Sequence, residues 1–135
     1  MASALHHNYA VVVHSSRAPS DAEWDAYLGK LGDWLPGLRG GLIVSDGGGP
    51  TSSQRRALKK KLLVEKTRYN ASFALISPSM MARGIVLAIN LFTPYIRAFR
   101  PEDIDQALTF LQVPTEERPS LLAMAKQLRE QLDEA

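Results

Sequence analysis

Cysteine is absent from the 135 residues. Disulfides, thiolate nucleophiles and every zinc site that needs sulfur are therefore excluded, and the composition fits a reducing, cytoplasmic setting. Histidine is scarce: His6, His7 and His14 are the only three, all near one end of the chain. Adjacent residues point apart in a strand and no carboxylate motif accompanies His6-His7, so no metal is expected there. No G-x-S-x-G elbow surrounds Ser45, and no nucleophile stands with a base, so no catalytic residues are assigned. His14 has two readings, a partly exposed strand-end residue or an acid-base partner for Asp46 across neighbouring strand ends. Net charge is also small, +2, which does not by itself call for nucleic acid or an anionic membrane. Long apolar runs are missing. The most apolar stretch, 85–92, falls far short of the roughly 20 residues that cross a bilayer, and residues 1–7 do not resemble a secretory signal.

What is present is the composition of a protein with a core: 45% hydrophobic and 22% charged residues, enough for one domain over 1–135. Residues 1–7 are expected to be flexible. The charges are uneven. Residues 1–50 hold 3 basic and 5 acidic side chains, 51–100 hold 10 and 1, and 101–135 hold 3 and 8, so a middle third at +9 lies between ends at −2 and −5.

Four short β-like runs, 9–13, 42–45, 72–76 and 95–99, alternate with helical patterns. The first three are nearly continuous in apolar residues, as strands covered on both faces tend to be. The fourth carries Arg97 and reads as an edge. Ser20-Asp21-Ala22-Glu23 and Thr51-Ser52-Ser53-Gln54 are capping boxes. The first opens a helix with Trp24, Tyr27, Leu28, Leu31 and Leu35 at helical spacing, ended by Pro36-Gly37. The second opens a helix with Ala57, Leu58 and Leu62 inward and Arg55, Arg56, Lys59 and Lys60 outward. A third helix is predicted from a cap at Ser77-Pro78 to about Phe92. A fourth is capped near Arg100-Pro101 and buries Ile104, Ala107, Leu108 and Leu111. Residues 115–135 form an additional C-terminal helix with Leu121, Ala125, Leu128 and Leu132 in one stripe; Pro119 is either its first residue or lies within a later continuation. The alternation predicts a small α/β sandwich with a largely parallel or mixed sheet of about four strands.

Three features stand out as candidate sites. Asp46, Gly47, Gly48, Gly49, Thr51, Ser52 and Ser53 join a strand end to a helix start, where open α/β sheets place their sites and amides attract anions. The loop is either an anion or phospho-site or a turn ending in a cap. It is neither a P-loop, lacking lysine before Thr51, nor G-x-G-x-x-G, with Pro50 where a donor amide is needed. Secondly, Arg55, Arg56, Lys59, Lys60 and Lys61, continued by Lys66 and Arg68, make a basic face. It is a solvated surface or a docking surface for an acidic partner, anionic lipid or RNA. Only Tyr69 is interleaved, so the nucleic-acid signal is weak. Thirdly, the helix after Ser77 carries Met80, Met81, Ile85, Val86, Leu87, Ile89, Leu91 and Phe92, more than one apolar stripe. The excess faces the C-terminal helix, a second copy of the chain in a homodimer, or an apolar ligand, and burial under the C-terminal helix is the expectation.

From Leu42 to Leu111 the chain resembles the STAS domain of anti-sigma-factor antagonists and sulfate-transporter cytoplasmic ends. The resemblance rests on the strand ending in Asp46, the helix opening at Thr51-Ser52-Ser53, the strand 72–76 followed by Ser77-Pro78-Ser79-Met80, and Tyr95-Ile96-Arg97-Ala98-Phe99 followed by Glu102-Asp103-Ile104-Asp105-Gln106-Ala107-Leu108. It implies a non-enzymatic regulatory or protein-interaction domain, without cofactor, controlled by phosphorylation or anion binding at 46–53. In the family an Asp-Ser pair holds the regulatory serine; here threonine stands where the aspartate would be. The family begins with two strands before its first helix, and one clear strand is legible here. The alternative function is a binding domain for a small ligand: an anion, nucleotide or lipid.

Overall fold

The computed structural model describes residues 1–65, 71–90 and 95–134. β1 (Ala2–His6) and β2 (Tyr9–His14) form an antiparallel hairpin with His6 opposite Tyr9. The turn residues His7 and Asn8 have φ of 48° and 66°, the left-handed pair that a two-residue type I′ hairpin requires. Residues 2–6, expected to be flexible, are thus a strand, and two strands precede the first helix. Ala-Ser-Ala-Leu has little β-propensity and the turn lacks glycine, so the local signal is weak. Pairing with β2 supplies what the segment lacks, and Ala2 and Ala4 pack against the core.

β3 (Gly40–Ser45), β4 (Ser72–Ile76) and β5 (Ile96–Phe99) continue the sheet parallel to β2, in the order β1-β2-β3-β4-β5. The fold class is the α/β arrangement expected, with a fifth strand. β5 is the edge that Arg97 indicates; the guanidinium lies 5.5 Å and 5.3 Å from the rings of Phe99 and Phe110. Each parallel connection carries one helix: α1 (Asp21–Trp34), α2 (Ser52–Glu65) and α3 (Met80–Asn90). Strands added in chain order by crossovers of one hand leave these helices on one face. A 3₁₀ turn at Pro101–Asp103 leads into α4 (Ile104–Phe110), and another at Thr115–Glu117 into α5 (Arg118–Glu134), which places Pro119 second in its helix.

The strand period of two divides the core. Tyr9, Val11, Val13, Leu42, Ala74 and Ile76 face α4 and α5, where Leu108, Leu121 and Leu128 meet them. Ala10, Val12, Ile43 and Phe73 face the other way, toward Trp24, Tyr27 and Leu31 of α1 and Leu58 of α2. Here α5 corrects an expectation. It packs on β1 and β2, across the sheet from the α1–α2–α3 face, and so does not cover α3.

The caps fix the helix starts. Ser20 and Glu23 exchange side chain-to-backbone hydrogen bonds at 3.1 Å and 3.0 Å, and Thr51 and Gln54 do so at 3.2 Å and 2.8 Å. α3 begins later than expected. Ser79, not Ser77, caps it by accepting from the Ala82 amide at 3.1 Å, while Ser77 Oγ accepts from the Ser79 amide. The expected end of that helix at Phe92 lies outside the described residues.

Candidate functional site

The glycine loop sits at the carboxyl ends of β2 and β3, where the topology brings His14 and Ser45 side by side. Two of its glycines have backbone reasons to be there. Gly47 has φ 118°, in the region that favours glycine. Gly48 lies so close to the backbone of Ser15 and Arg17 that a Cβ would collide with it. Their amides are engaged: Gly47 N–H donates to Ser45 Oγ at 3.0 Å and Gly48 N–H to the Ser15 carbonyl at 2.9 Å. Ser45 Oγ–H donates to the Gly48 carbonyl. Thr51 N–H serves the capping box. Ser52 and Ser53 are exposed on the first turn of α2.

Asp46 and His14 point into different surroundings. The Asp46 carboxylate pairs with Arg129 of α5, whereas His14 lies beside Trp24, ring centroids 6.4 Å apart. They share only a backbone contact, Asp46 N–H to the His14 carbonyl at 3.2 Å. His14 is 4% exposed. Neither ring nitrogen has a hydrogen-bond partner, and Nδ1 is shut off from solvent as well. Burial, aided by the positive chain terminus and opposed by Glu23, lowers its pKa from 6.5 to about 4. The ring is neutral at pH 7.

The residue that sequence reasoning missed is Gln54. Beyond its part in the capping box it is buried, its amide donating to the Pro19 carbonyl and Asp21 Oδ1, both at 2.9 Å. Trp24 Nε1–H returns a bond to the Gln54 carbonyl at 2.9 Å. This knot holds α2 against α1. Leu58 then turns toward the sheet, while Ala57, expected inward, is exposed.

α2 leans on α1 and α3 leans on β5, which leaves a gap between them over β3 and β4. The gap is a cavity of about 680 Å³, within the roughly 300–1,000 Å³ of small-molecule sites. Its floor is Val12, Ile43, Phe73 and Leu75; Trp24 and Leu58 wall one side, Ile85 and Val86 the other. Gly41 lies under the Phe73 ring, in the position a Cβ would occupy only by displacing that ring. His14, Ser45 and the loop 47–50 close one end. At the other, Phe73 pairs with Ile96 and with Gly41, four residues before Ser45, so the floor runs about 13 Å at ~3.3 Å per residue.

Arg55, Arg56 and Lys59 reach this cavity from α2 and Met81 from α3. Among its described lining residues, every charged side chain is cationic. Arg55 is held by the Pro50 carbonyl at 2.8 Å and Ser52 Oγ at 3.1 Å. Arg56, Lys59 and Lys60 are exposed and, among the described residues, form no ion pair. Lys66, Arg68 and Tyr69 lie outside the described residues. On α3, Met80, Met81 and Leu87 are 80%, 78% and 66% exposed. Among the described residues no three His, Asp or Glu cluster as metal ligands, and no helix is long and apolar enough to cross a membrane. An apolar volume with a cationic rim can hold a molecule of matching polarity.

Comparison of the chain with protein-family models, with curated proteins and with solved structures returned no match.

Proposed function

We propose that the chain is a non-catalytic binding domain for a small amphiphile, held with its apolar body in the cavity between α2 and α3 and its anionic head toward Arg55, Arg56 and Lys59. The observation that carries this reading is the pairing of an apolar floor with a rim whose described charged side chains are all cationic, around one 680 Å³ space. Transfer of apolar surface from water supplies affinity at about 25 cal/mol per Å². The rim supplies the sign of the head group.

Trp24 lines the cavity and reports its occupancy. In a Trp34→Phe background, leaving Trp24 as the sole tryptophan, a bromine-labelled fatty carboxylate should quench fluorescence saturably, one molecule per chain. Joint replacement of Arg56 and Lys59 by Gln should weaken this about tenfold or less, as partly screened surface charges do. Quenching that never saturates, or that an uncharged analogue reproduces with equal affinity, refutes the reading.

A second reading, the regulatory interaction domain that the STAS resemblance implies, is favoured by the exposed apolar turn at Met80 and Met81 and by Ser52, whose hydroxyl already lies 3.1 Å from the Arg55 guanidinium. A phosphate there would meet a cation and a helix N-terminus. Exchange of Ser52 for Asp should then change partner affinity in a pull-down, and equal capture by Ser52→Asp and Ser52→Ala refutes it.

A further inference from the structure

We infer that His14 is the residue by which the cavity recognises its ligand, and that the group it binds is a carboxylate at the head of a single apolar chain. The inference rests on the amphiphile reading above and adds to it the head group and the residue that selects it.

His14 is the last residue of β2, on the face shared with Ala10 and Val12, and its ring forms part of the cavity end. His14 is 4% exposed and, among the described residues, its ring nitrogens have no hydrogen-bond partner; Nδ1 is sealed, and Nε2 is the nitrogen left accessible. An unpaired buried polar group is costly, and native structures rarely keep one. Packing does not explain it. The ring contact with Trp24 would be made as well by phenylalanine, which has no nitrogen to leave unpaired. A ligand in the cavity meets Nε2: an acceptor there draws the ring proton to that nitrogen and gives the imidazole a hydrogen bond it lacks, while Nδ1 stays sealed.

The neighbouring donors define what that partner is. Gly47 N–H, Gly48 N–H and Ser45 O–H are already engaged within the loop. That leaves the N–H of a neutral imidazole and the Gly49 N–H, which makes no hydrogen bond among the described residues, to meet a head group whose remaining charge faces Arg55 and Arg56 at the rim. Two inner donors with outer cations suit the two oxygens of a carboxylate. A phosphate monoester, with three acceptor oxygens and nearly two charges, would leave oxygens unmet at that end.

The test compares three probes of equal chain length, dodecanoate, dodecanol and methyl dodecanoate, on the chain with His14 (called wild type below), His14→Phe and His14→Gln, all in the Trp34→Phe background, with affinities read from Trp24 fluorescence at pH 7. Wild type should prefer dodecanoate to its methyl ester. His14→Phe should lose about tenfold in dodecanoate affinity, as loss of a bond to a charged group does, and change less than twofold for the ester. His14→Gln, which keeps an N–H donor, should recover part of the preference and serves alone if the phenylalanine variant does not fold. An undiminished carboxylate preference in His14→Phe overturns the assignment, as does equal weakening for all three probes, which would mark the ring as packing only. Failure of every probe to bind wild type overturns the amphiphile reading itself, a different result from binding that ignores residue 14.

Discussion

Acid should destabilise this protein through His14, and the size of the effect follows from its burial. An unfolded imidazole titrates near 6.5 and the folded one near 4. Between those values the unfolded chain binds the proton and the folded chain does not. Stability is therefore whole above pH 6.5, declines as the pH falls, and levels off below about 4. The full difference is worth about 3 kcal/mol, of which about 2 kcal/mol has gone by pH 5. Against the 5–15 kcal/mol typical of a small domain, that is readily measured. Urea unfolding at pH 7 and pH 5, on wild type and on His14→Phe, isolates it, because the carboxylates common to both chains cancel in the double difference. Wild type should lose about 2 kcal/mol more than the variant between the two pH values. Equal losses would refute the argument that this imidazole is held neutral by burial.

The glycine loop makes a second prediction: Gly48→Ala should cost roughly 1–3 kcal/mol, because its methyl would run into the backbone of Ser15 and Arg17. Gly49→Ala, with nothing within 4 Å of its Cβ, should change the urea midpoint by less than about 0.5 kcal/mol. Leu121→Ala removes a fully buried side chain between α5 and the sheet and should cost about 2–5 kcal/mol by the same measurement. Asp46→Asn breaks the pair with Arg129, both partly exposed, and should cost no more than about 1 kcal/mol, with the difference shrinking in high salt.

The fold was legible wherever local chemistry dictates it. Ser20 with Glu23 and Thr51 with Gln54 marked helix starts because each box satisfies two orphan amides within four residues. The apolar runs at 9–13, 42–45 and 72–76 marked strands covered on both faces. β1 was hidden because its stability comes from Tyr9–His14 and from α5, more than 110 residues along the chain in the case of the His6–Ser120 contact. The side of the sheet that α5 occupies was hidden for a related reason: a stripe of leucines shows that a helix needs a face, not which face the topology leaves free. Of the site, Gly47, Gly48, Gly49, Ser52, Arg55, Arg56, Lys59 and Met81 were all visible as unusual, and the structure brings them around one opening, while Asp46, Thr51, Ser53, Lys60 and Met80 stay outside its lining. The opening itself was not visible. It is a gap between two helices that pack elsewhere, and His14 became distinctive only once Trp24, held by Gln54, closed over it.

Gly41 carries a consequence for the size of what the cavity accepts. The Phe73 ring lies down over the floor only because residue 41 has no side chain beneath it. One methyl group there would tip the ring upward into the space above β3 and β4, shortening the 13 Å trough from the end opposite His14. Chain-length selectivity would thus be governed by a missing atom in the backbone layer, while head-group selectivity is governed at the far end. A homologous sequence with alanine at this position would accept a shorter tail behind an unchanged head.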